Sequence, residues 1–186
     1  AGDLYICGFS QGGAMAMELL STSAATRIKG LILLGTRVLR PLELKQCMEA
    51  ASGLDLDWYF QYFINTTHQI DYAINAVYEG QSSATIELER IGAMPMPQNI
   101  TVTYANGDVE SFHAPLVMMR GHKQLARNET LLPDWPWTHP TYSFSIPTSS
   151  PIVSVELDAA RQTADVDREN NAATFDQQWQ RIYQRN

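Results

Sequence analysis

Ser10 is the residue whose surroundings most clearly suggest chemistry. It lies in Gly8-Phe9-Ser10-Gln11-Gly12, a G-x-S-x-G pentapeptide that follows an apolar run and precedes an alanine-rich stretch. In that context the pentapeptide can form a nucleophile elbow, a strained strand-to-helix turn that projects the serine hydroxyl from a sheet. The chemistry that this motif would support is acyl transfer with Ser10 as the nucleophile. The competing interpretation, which we favour, is a glycine turn before a packed helix.

A serine hydrolase of this type also needs an acid and a histidine later in the chain. Asp108 with His122 or His139 satisfies that order. Asp108, however, follows Asn106-Gly107, and Asn-Gly-Asp is ordinary turn chemistry. Only nine residues precede Ser10, so we expect the earlier strand and loop that would supply the first oxyanion donor to be absent.

The spacing of the histidines and the number of cysteines do not indicate a metal site. A zinc peptidase motif H-E-x-x-H places two histidines four residues apart on one helix face. The four histidines include no such pair, and none is followed directly by glutamate; they are His68, His113, His122 and His139. Cys7 and Cys47 are too few for a disulfide scaffold or a cysteine-rich zinc site. We therefore expect no metal and no cofactor in this chain.

Composition limits the class of protein. The chain has 186 residues, of which 45% are hydrophobic, and this excludes a disordered chain. Its 13 basic and 20 acidic residues give a net charge of −7, so nucleic acid is an unfavourable partner. The longest apolar runs are far below the roughly 20 residues that span a bilayer, so we expect no membrane span. Because the chain begins at Ala1 with no Met and no leader, we expect either a processed chain or a piece of a longer protein, and we favour the piece.

The first part of the chain has the pattern of an α/β unit followed by helices. Leu4 to Cys7 and Ile28 to Leu34 are predicted strands, and Ala14 to Leu20 is a predicted helix between them. A second helix should begin at Pro41 and end at Gly53. The aromatic-rich segment Leu54 to Ile64 should form a core helix, because its rings require burial.

From Ile70 onward, apolar residues alternate with period two, which indicates strands with one buried face. Asn106-Gly107 predicts a β-hairpin with a type I′ turn. Further strands are expected in a set of later segments: Pro115 to Met119, Tyr142 to Ile146 and Ile152 to Leu157. Helical spacing from Phe175 to Tyr183 predicts a C-terminal helix.

The predicted fold class is mixed α and β with three parts. A helical or partial α/β segment should cover residues 1–69. An antiparallel immunoglobulin-like β-sandwich should cover residues 70–171. A C-terminal helix or tail should cover residues 172–186.

Two families share motifs with this chain. The strings Gly8-Phe9-Ser10-Gln11-Gly12-Gly13-Ala14-Met15-Ala16 and Ile28-Lys29-Gly30-Leu31-Ile32-Leu33-Leu34-Gly35 resemble the carboxylesterase and lysophospholipase branch of the α/β-hydrolases. This resemblance covers residues 3–35 and implies an esterase that uses Ser10.

The second resemblance is longer and runs from about Pro41 to Asn171. Its strings include Met48-Glu49-Ala50-Ala51-Ser52-Gly53-Leu54-Asp55-Leu56-Asp57-Trp58-Tyr59-Phe60, Leu88-Glu89-Arg90-Ile91-Gly92-Ala93-Met94-Pro95-Met96-Pro97 and Asp134-Trp135-Pro136-Trp137-Thr138-His139-Pro140-Thr141-Tyr142. They resemble the C-terminal region of bacterial aminopeptidase N-type zinc metallopeptidases, the gluzincins. That family uses a Y-x-K-G tyrosine to stabilise the oxyanion, and the nearest counterpart here, Phe9-Ser10-Gln11-Gly12, lacks the phenolic hydroxyl.

The gluzincin resemblance implies a non-catalytic role. The chain would support a peptide-binding catalytic domain that lies outside it, and zinc would be held only by that domain. The expected partner is the remainder of a larger peptidase or its peptide substrate. The alternatives are the Ser10 esterase and a free-standing adhesion or interaction module.

Overall fold

A computed structural model describes residues 4–9, 28–34, 41–175 and 182–185. The chain divides into two compact units, Ala1–Phe60 and Gln61–Asn186. Each unit is described by itself below. Within the described parts, neither α-helix has the length and apolar character needed to cross a lipid bilayer.

The first unit contains a pair of parallel strands. Strand β1 (Leu4–Phe9) runs alongside β2 (Ile28–Leu34), with Leu4 opposite Ile28 and Phe9 opposite Leu34. The two predicted strands are therefore confirmed, and β1 extends two residues beyond the predicted end. The helix predicted between them falls outside the described residues.

Two helices follow in the described part of the chain. Helix α1 (Pro41–Ser52) begins with a proline, which the first helical turn tolerates because its N–H needs no partner there. It ends at Gly53, which has φ +72° and donates its N–H to the Glu49 carbonyl at 2.8 Å. This left-handed glycine is a common helix stop, and it confirms the predicted boundary.

Helix α2 (Asp57–Asn65) is shorter than the predicted aromatic segment. The Asp55 carboxylate accepts the Asp57 N–H at 3.0 Å, which satisfies one of the free donors at the helix start. Trp58 is buried, and the next turn of the helix includes an exposed Phe63. The helix therefore buries only part of its aromatic surface, where the sequence predicted a core helix.

The second unit is built from two β-sheets. The four-stranded sheet has the order β11-β3-β4-β8, and the five-stranded sheet has the order β10-β9-β5-β6-β7. The strands are β3 (Tyr72–Glu79), β4 (Ser83–Arg90), β5 (Gln98–Tyr104), β6 (Val109–Ala114), β7 (Glu129–Leu131), β8 (Thr141–Pro147), β9 (Ile152–Leu157), β10 (Ala172–Thr174) and β11 (Ile182–Gln184).

Apolar side chains fill the space between these two sheets. Phe112 of the five-stranded sheet meets Phe144 of the four-stranded sheet, with ring centroids 5.7 Å apart. Trp135 closes one part of the core, because its ring stacks on Tyr142 at 5.0 Å and meets Tyr72 edge-on at 5.4 Å. Alternation along β5 buries every second residue, as expected for a sheet with one face on the core.

The predicted hairpin exists, but its turn is of another type. Strands β5 and β6 pair antiparallel, and the Gly107 N–H bonds the Tyr104 carbonyl at 3.0 Å. Gly107 has φ +88°, whereas Asn106 is not among the residues with positive φ. A type I′ turn needs positive φ at both central residues, so that assignment is wrong. A type I turn followed by a left-handed glycine bulge fits these bonds.

The predicted fold class is wrong in two respects. The described residues are mostly β-structure, with two short α-helices rather than a mixed α and β arrangement. The five-stranded sheet is also not purely antiparallel, because β7 runs parallel to β6. Pro115 to Met119 forms no regular strand either, since residues Val117–Met119 make one turn of 3₁₀-helix.

The C-terminal helix is likewise contradicted. Residues Ala172–Thr174 pair with β9, and Ile182–Gln184 pair antiparallel with β3. Helical spacing in a polar segment is a weak local preference, whereas an open sheet edge offers a full row of backbone hydrogen bonds. Pairing with the sheet edges therefore overrides the local pattern.

Candidate functional site

The predicted nucleophile Ser10 lies outside the described residues. The nearest described residue before it is Phe9, the last residue of β1. The other three residues of the predicted triad can be located.

Asp108 is held by its own hairpin. Its carboxylate accepts the Asn106 side-chain amide at 2.7 Å, and its backbone N–H bonds the Asn106 side-chain oxygen at 3.1 Å. Both its neighbours and its exposure are those of a turn residue.

The two candidate histidines are also exposed and locally bonded. His122 Nδ1 lies 2.7 Å from the Lys123 carbonyl, and His139 Nδ1 lies 3.2 Å from Thr138 Oγ1. Among the hydrogen bonds of the described residues, none joins Asp108 to either histidine. Asp108 and the two histidines therefore bond their own neighbours and do not form the acid–histidine pair that a triad requires.

An acidic cluster in the first unit is explained by a lysine. The carboxylate oxygens of Glu49, Asp55 and Asp57 lie within 4.8 Å of one another. Lys45 pairs with Asp57 and lies 3.8 Å from Glu49, and the hydrogen bond to Asp57 raises the pKa of Lys45. Because the Lys45 ammonium group already lies among these carboxylates, we interpret the cluster as an ion-pair network.

A more developed site lies on the outer face of the five-stranded sheet, away from the core. It is a pocket of about 280 Å³, called the outer-face pocket below. Its floor is formed by side chains of β5 and β6, and its two walls come from the segments before β7 and after β9. Besides Ile100 and Phe112, the pocket is lined by polar, charged and small residues: Asn99, Thr101, Ser111, Lys123, Ala126, Asn128, Glu129, Asp158, Ala159, Ala160 and Gln162.

Strand register puts the polar floor residues side by side. Asn99 is opposite His113, and Thr101 is opposite Ser111, across the β5–β6 ladder. The intervening pair, Ile100 and Phe112, points to the core because successive side chains alternate between faces. Two polar cross-strand pairs therefore share the outer face.

His113 is a buried imidazole that bonds Asn99, one of the residues of this pocket. Only 2% of its surface is exposed, and its Nδ1 lies 2.8 Å from Asn99 Oδ1. Burial, reinforced by the charge of Lys123, lowers the pKa of His113 to about 4. The ring is therefore neutral near pH 7, with Nδ1 donating to Asn99. Its buried Nε2 has no hydrogen-bond partner within the described part of the chain.

One wall of the pocket is fixed by an ion pair. Lys123 Nζ lies 2.7 Å from Glu129 Oε1, and the other carboxylate oxygen accepts the Ala126 N–H at 3.1 Å. Burial alone would raise the pKa of Glu129, but these hydrogen bonds outweigh it, so the pKa is lowered. Glu129 is thus ionised, and its carboxylate bonds both Lys123 and Ala126 in the segment before β7.

The other wall is organised by Asp158. Its carboxylate accepts backbone N–H groups from Gln162 and Thr163 at 2.8 Å each. It also accepts the Thr163 hydroxyl at 2.7 Å and pairs with Arg168 at 3.0 Å. Burial raises the pKa of Asp158, but the hydrogen bonds prevail and lower it overall. The result is a rigid loop built around one buried carboxylate.

Among the described residues, none of the site residues predicted from the sequence lines this pocket, although the sequence contains part of its signal. Polar residues alternate with apolar ones on both strands of the predicted hairpin, which places Asn99, Thr101, Ser111 and His113 on one face. Nothing in the spacing indicated that residues 123–129 and 158–162 would border that face, because those contacts depend on loop conformation.

Comparison of the chain with protein-family models, curated proteins and solved structures gave no match.

Proposed function

We propose that this chain is a non-catalytic β-sandwich module of a larger, zinc aminopeptidase-like hydrolase. It would support a peptide-binding catalytic domain outside the chain, and that domain would hold the zinc. The proposal rests on the sequence resemblance over residues 41–171, together with one structural observation: three carboxyl groups of the second unit, two of them buried, accept hydrogen bonds from backbone N–H groups.

Three carboxylates carry that observation. Glu79 accepts the Ile152 N–H at 2.5 Å, which links the two sheets. Asp165 accepts the Tyr72 N–H at 3.0 Å and ties the loop after β9 to the start of β3. Asp158 organises the loop next to Arg168. Glu79 and Asp158 are buried and Asp165 is half-buried. Carboxyl groups that bond backbone donors distant in the sequence favour one fixed arrangement, which suits a supporting role.

The proposal predicts that the isolated chain binds no stoichiometric zinc and releases no amino acids from peptide N-termini. No described cluster offers the histidine ligands of such a site. Metal analysis and an aminopeptidase assay test this. Glu49→Gln is a useful control. If the chain binds a cation and this variant does not, the cation is bound by the acidic cluster of Glu49, Asp55 and Asp57. One tightly held zinc per chain with chelator-sensitive cleavage would contradict the proposal.

A serine esterase remains the second candidate, favoured by one observation in the first unit. Strands β1 and β2 are parallel, and β1 ends at Phe9, immediately before Ser10. A nucleophile elbow follows such a strand. Ester hydrolysis would then depend on Ser10 as the nucleophile, with Asp108 and either His122 or His139.

We expect the esterase test to be negative. A serine is a weak nucleophile until a histidine accepts its proton, and the described histidines are not joined to Asp108. A fluorophosphonate probe should leave Ser10 unlabelled, and p-nitrophenyl butyrate should be hydrolysed no faster than by Ser10→Ala. Stoichiometric labelling that disappears in Ser10→Ala would make the esterase the primary function.

A further inference from the structure

We propose that the outer-face pocket binds a small neutral polyhydroxylated ligand, a carbohydrate unit of one or two sugar rings. Its floor would hold the ligand through Asn99, Thr101 and Ser111. This site is separate from the supporting role proposed above and does not depend on it.

The lining offers hydrogen-bonding groups that the described part of the chain leaves unused. The hydroxyls of Thr101 and Ser111 and the amide Nδ2 of Asn99 face outward from the β5–β6 ladder. Asn128 and Gln162 add one side-chain amide from each wall. Hydroxyl and amide groups both donate and accept hydrogen bonds. A set of mixed donors and acceptors complements the hydroxyl groups of a sugar.

The charges around the pocket favour a neutral ligand. Lys123 is paired with Glu129, and Asp158 is paired with Arg168. An anionic or cationic ligand would have to break one of these partly buried pairs, which is costly because the remaining charge would lose its partner. A neutral ligand can bind beside both pairs and leave them intact.

The binding groups are held in place before any ligand arrives. His113 donates to Asn99 Oδ1, so the amide Nδ2 is directed away from the ring. The non-glycine residues with positive φ among those described lie next to or within the two walls: Arg120 (52°), Asp158 (45°) and Arg161 (53°). Such backbone conformations cost free energy and are enriched at binding sites. Preorganisation of this kind lowers the ordering cost of binding.

The dimensions fit a small ligand. The pocket volume of about 280 Å³ lies just below the range that is usual for ligand sites, roughly 300–1,000 Å³. Small side chains at Ala126, Ala159 and Ala160 keep the walls apart. The space therefore suits one or two sugar rings rather than a long oligosaccharide.

NMR titration of the full chain tests the proposal. The probes are glucose, galactose, N-acetylglucosamine, maltose and cellobiose, with glucuronate as a charged comparison. We expect at least one neutral sugar to receive saturation transfer from the protein. The same sugar should shift the backbone amide signals of pocket residues such as Asn99, Ser111 and Gln162.

Two variants and a matched control locate the site. Thr101→Val and Ser111→Ala each remove one hydroxyl from a half-buried strand position and should weaken sugar binding about tenfold. Thr103→Val makes the same change on the same strand outside the pocket and should leave the affinity unchanged. An unchanged thermal midpoint in all three variants would show that the fold is retained.

Three results would overturn the proposal. The first is that no neutral sugar perturbs the spectrum, and the second is that the perturbed residues lie elsewhere. The third is tighter binding of glucuronate than of glucose, which would mean that the site selects charge.

Discussion

Replacing Trp135 with alanine is expected to lower the free energy of unfolding by about 3–5 kcal/mol, the usual cost of deleting a buried tryptophan. Trp135 is 1% exposed and contacts Tyr72 and Tyr142 with its ring. Its Nε1–H also bonds the His139 carbonyl at 3.1 Å. The substitution would leave a cavity at the core and an unpaired carbonyl. Urea unfolding monitored by circular dichroism measures the effect.

Trp137 provides the matched control for this prediction. It lies two residues away, is 38% exposed, and meets only one described ring, Tyr62, at 6.1 Å. Trp137→Ala should therefore cost about 1 kcal/mol or less. Equal losses in the two variants would contradict the assignment of Trp135 to the core.

His113 should make folding depend on pH in a defined window. Burial lowers its pKa from 6.5 to about 4, so the unfolded state binds more protons than the native state between those values. Stability is therefore complete above pH 6.5 and decreases as the pH falls toward 4. The decrease attributable to His113 is up to about 3 kcal/mol.

Comparison with His113→Gln isolates this contribution from that of the carboxylates. Glu129 and Asp158 also have lowered pKa values. Their contributions to the free energy of unfolding are lost as the pH falls further and the carboxylates are protonated. Unfolding measured from pH 7 to pH 4 should show a smaller decrease in His113→Gln than in the unchanged protein. His122→Gln, which alters an exposed imidazole, should keep the full decrease. Parallel pH profiles for the unchanged protein and His113→Gln would show that His113 is not a buried neutral group.

Much of the strand pattern could be predicted because it depends on neighbouring residues. Ile28–Leu34 and Ile152–Leu157 have the predicted bounds, since each is a short apolar-rich run beside a residue typical of turns, Gly35 in one case and Pro151 in the other. The boundary at Gly53 was also predictable, because a left-handed conformation favours glycine. Such features are encoded by neighbouring residues.

The errors occurred where distant parts of the chain determine the structure. Ile182–Gln184 forms a strand because β3 offers it an edge more than a hundred residues away in the sequence, and local spacing does not report that pairing. The same reason hid the outer-face pocket. Its floor follows from alternation, but its walls depend on how Glu129 and Asp158 fix two loops. Asp108 could be recognised as a turn residue, whereas its separation from His122 and His139 could not.

We propose that this chain supports a catalytic domain of the aminopeptidase N type. The most direct test of this proposal uses such a catalytic domain from a bacterial enzyme, truncated before the helices that correspond to Pro41 onward. We predict that adding this chain raises the thermal midpoint and the aminopeptidase activity of the truncated domain, and that Trp135→Ala reduces both effects. If the enzyme's own C-terminal region restores activity and this chain neither binds nor stabilises the truncated domain, the account is contradicted.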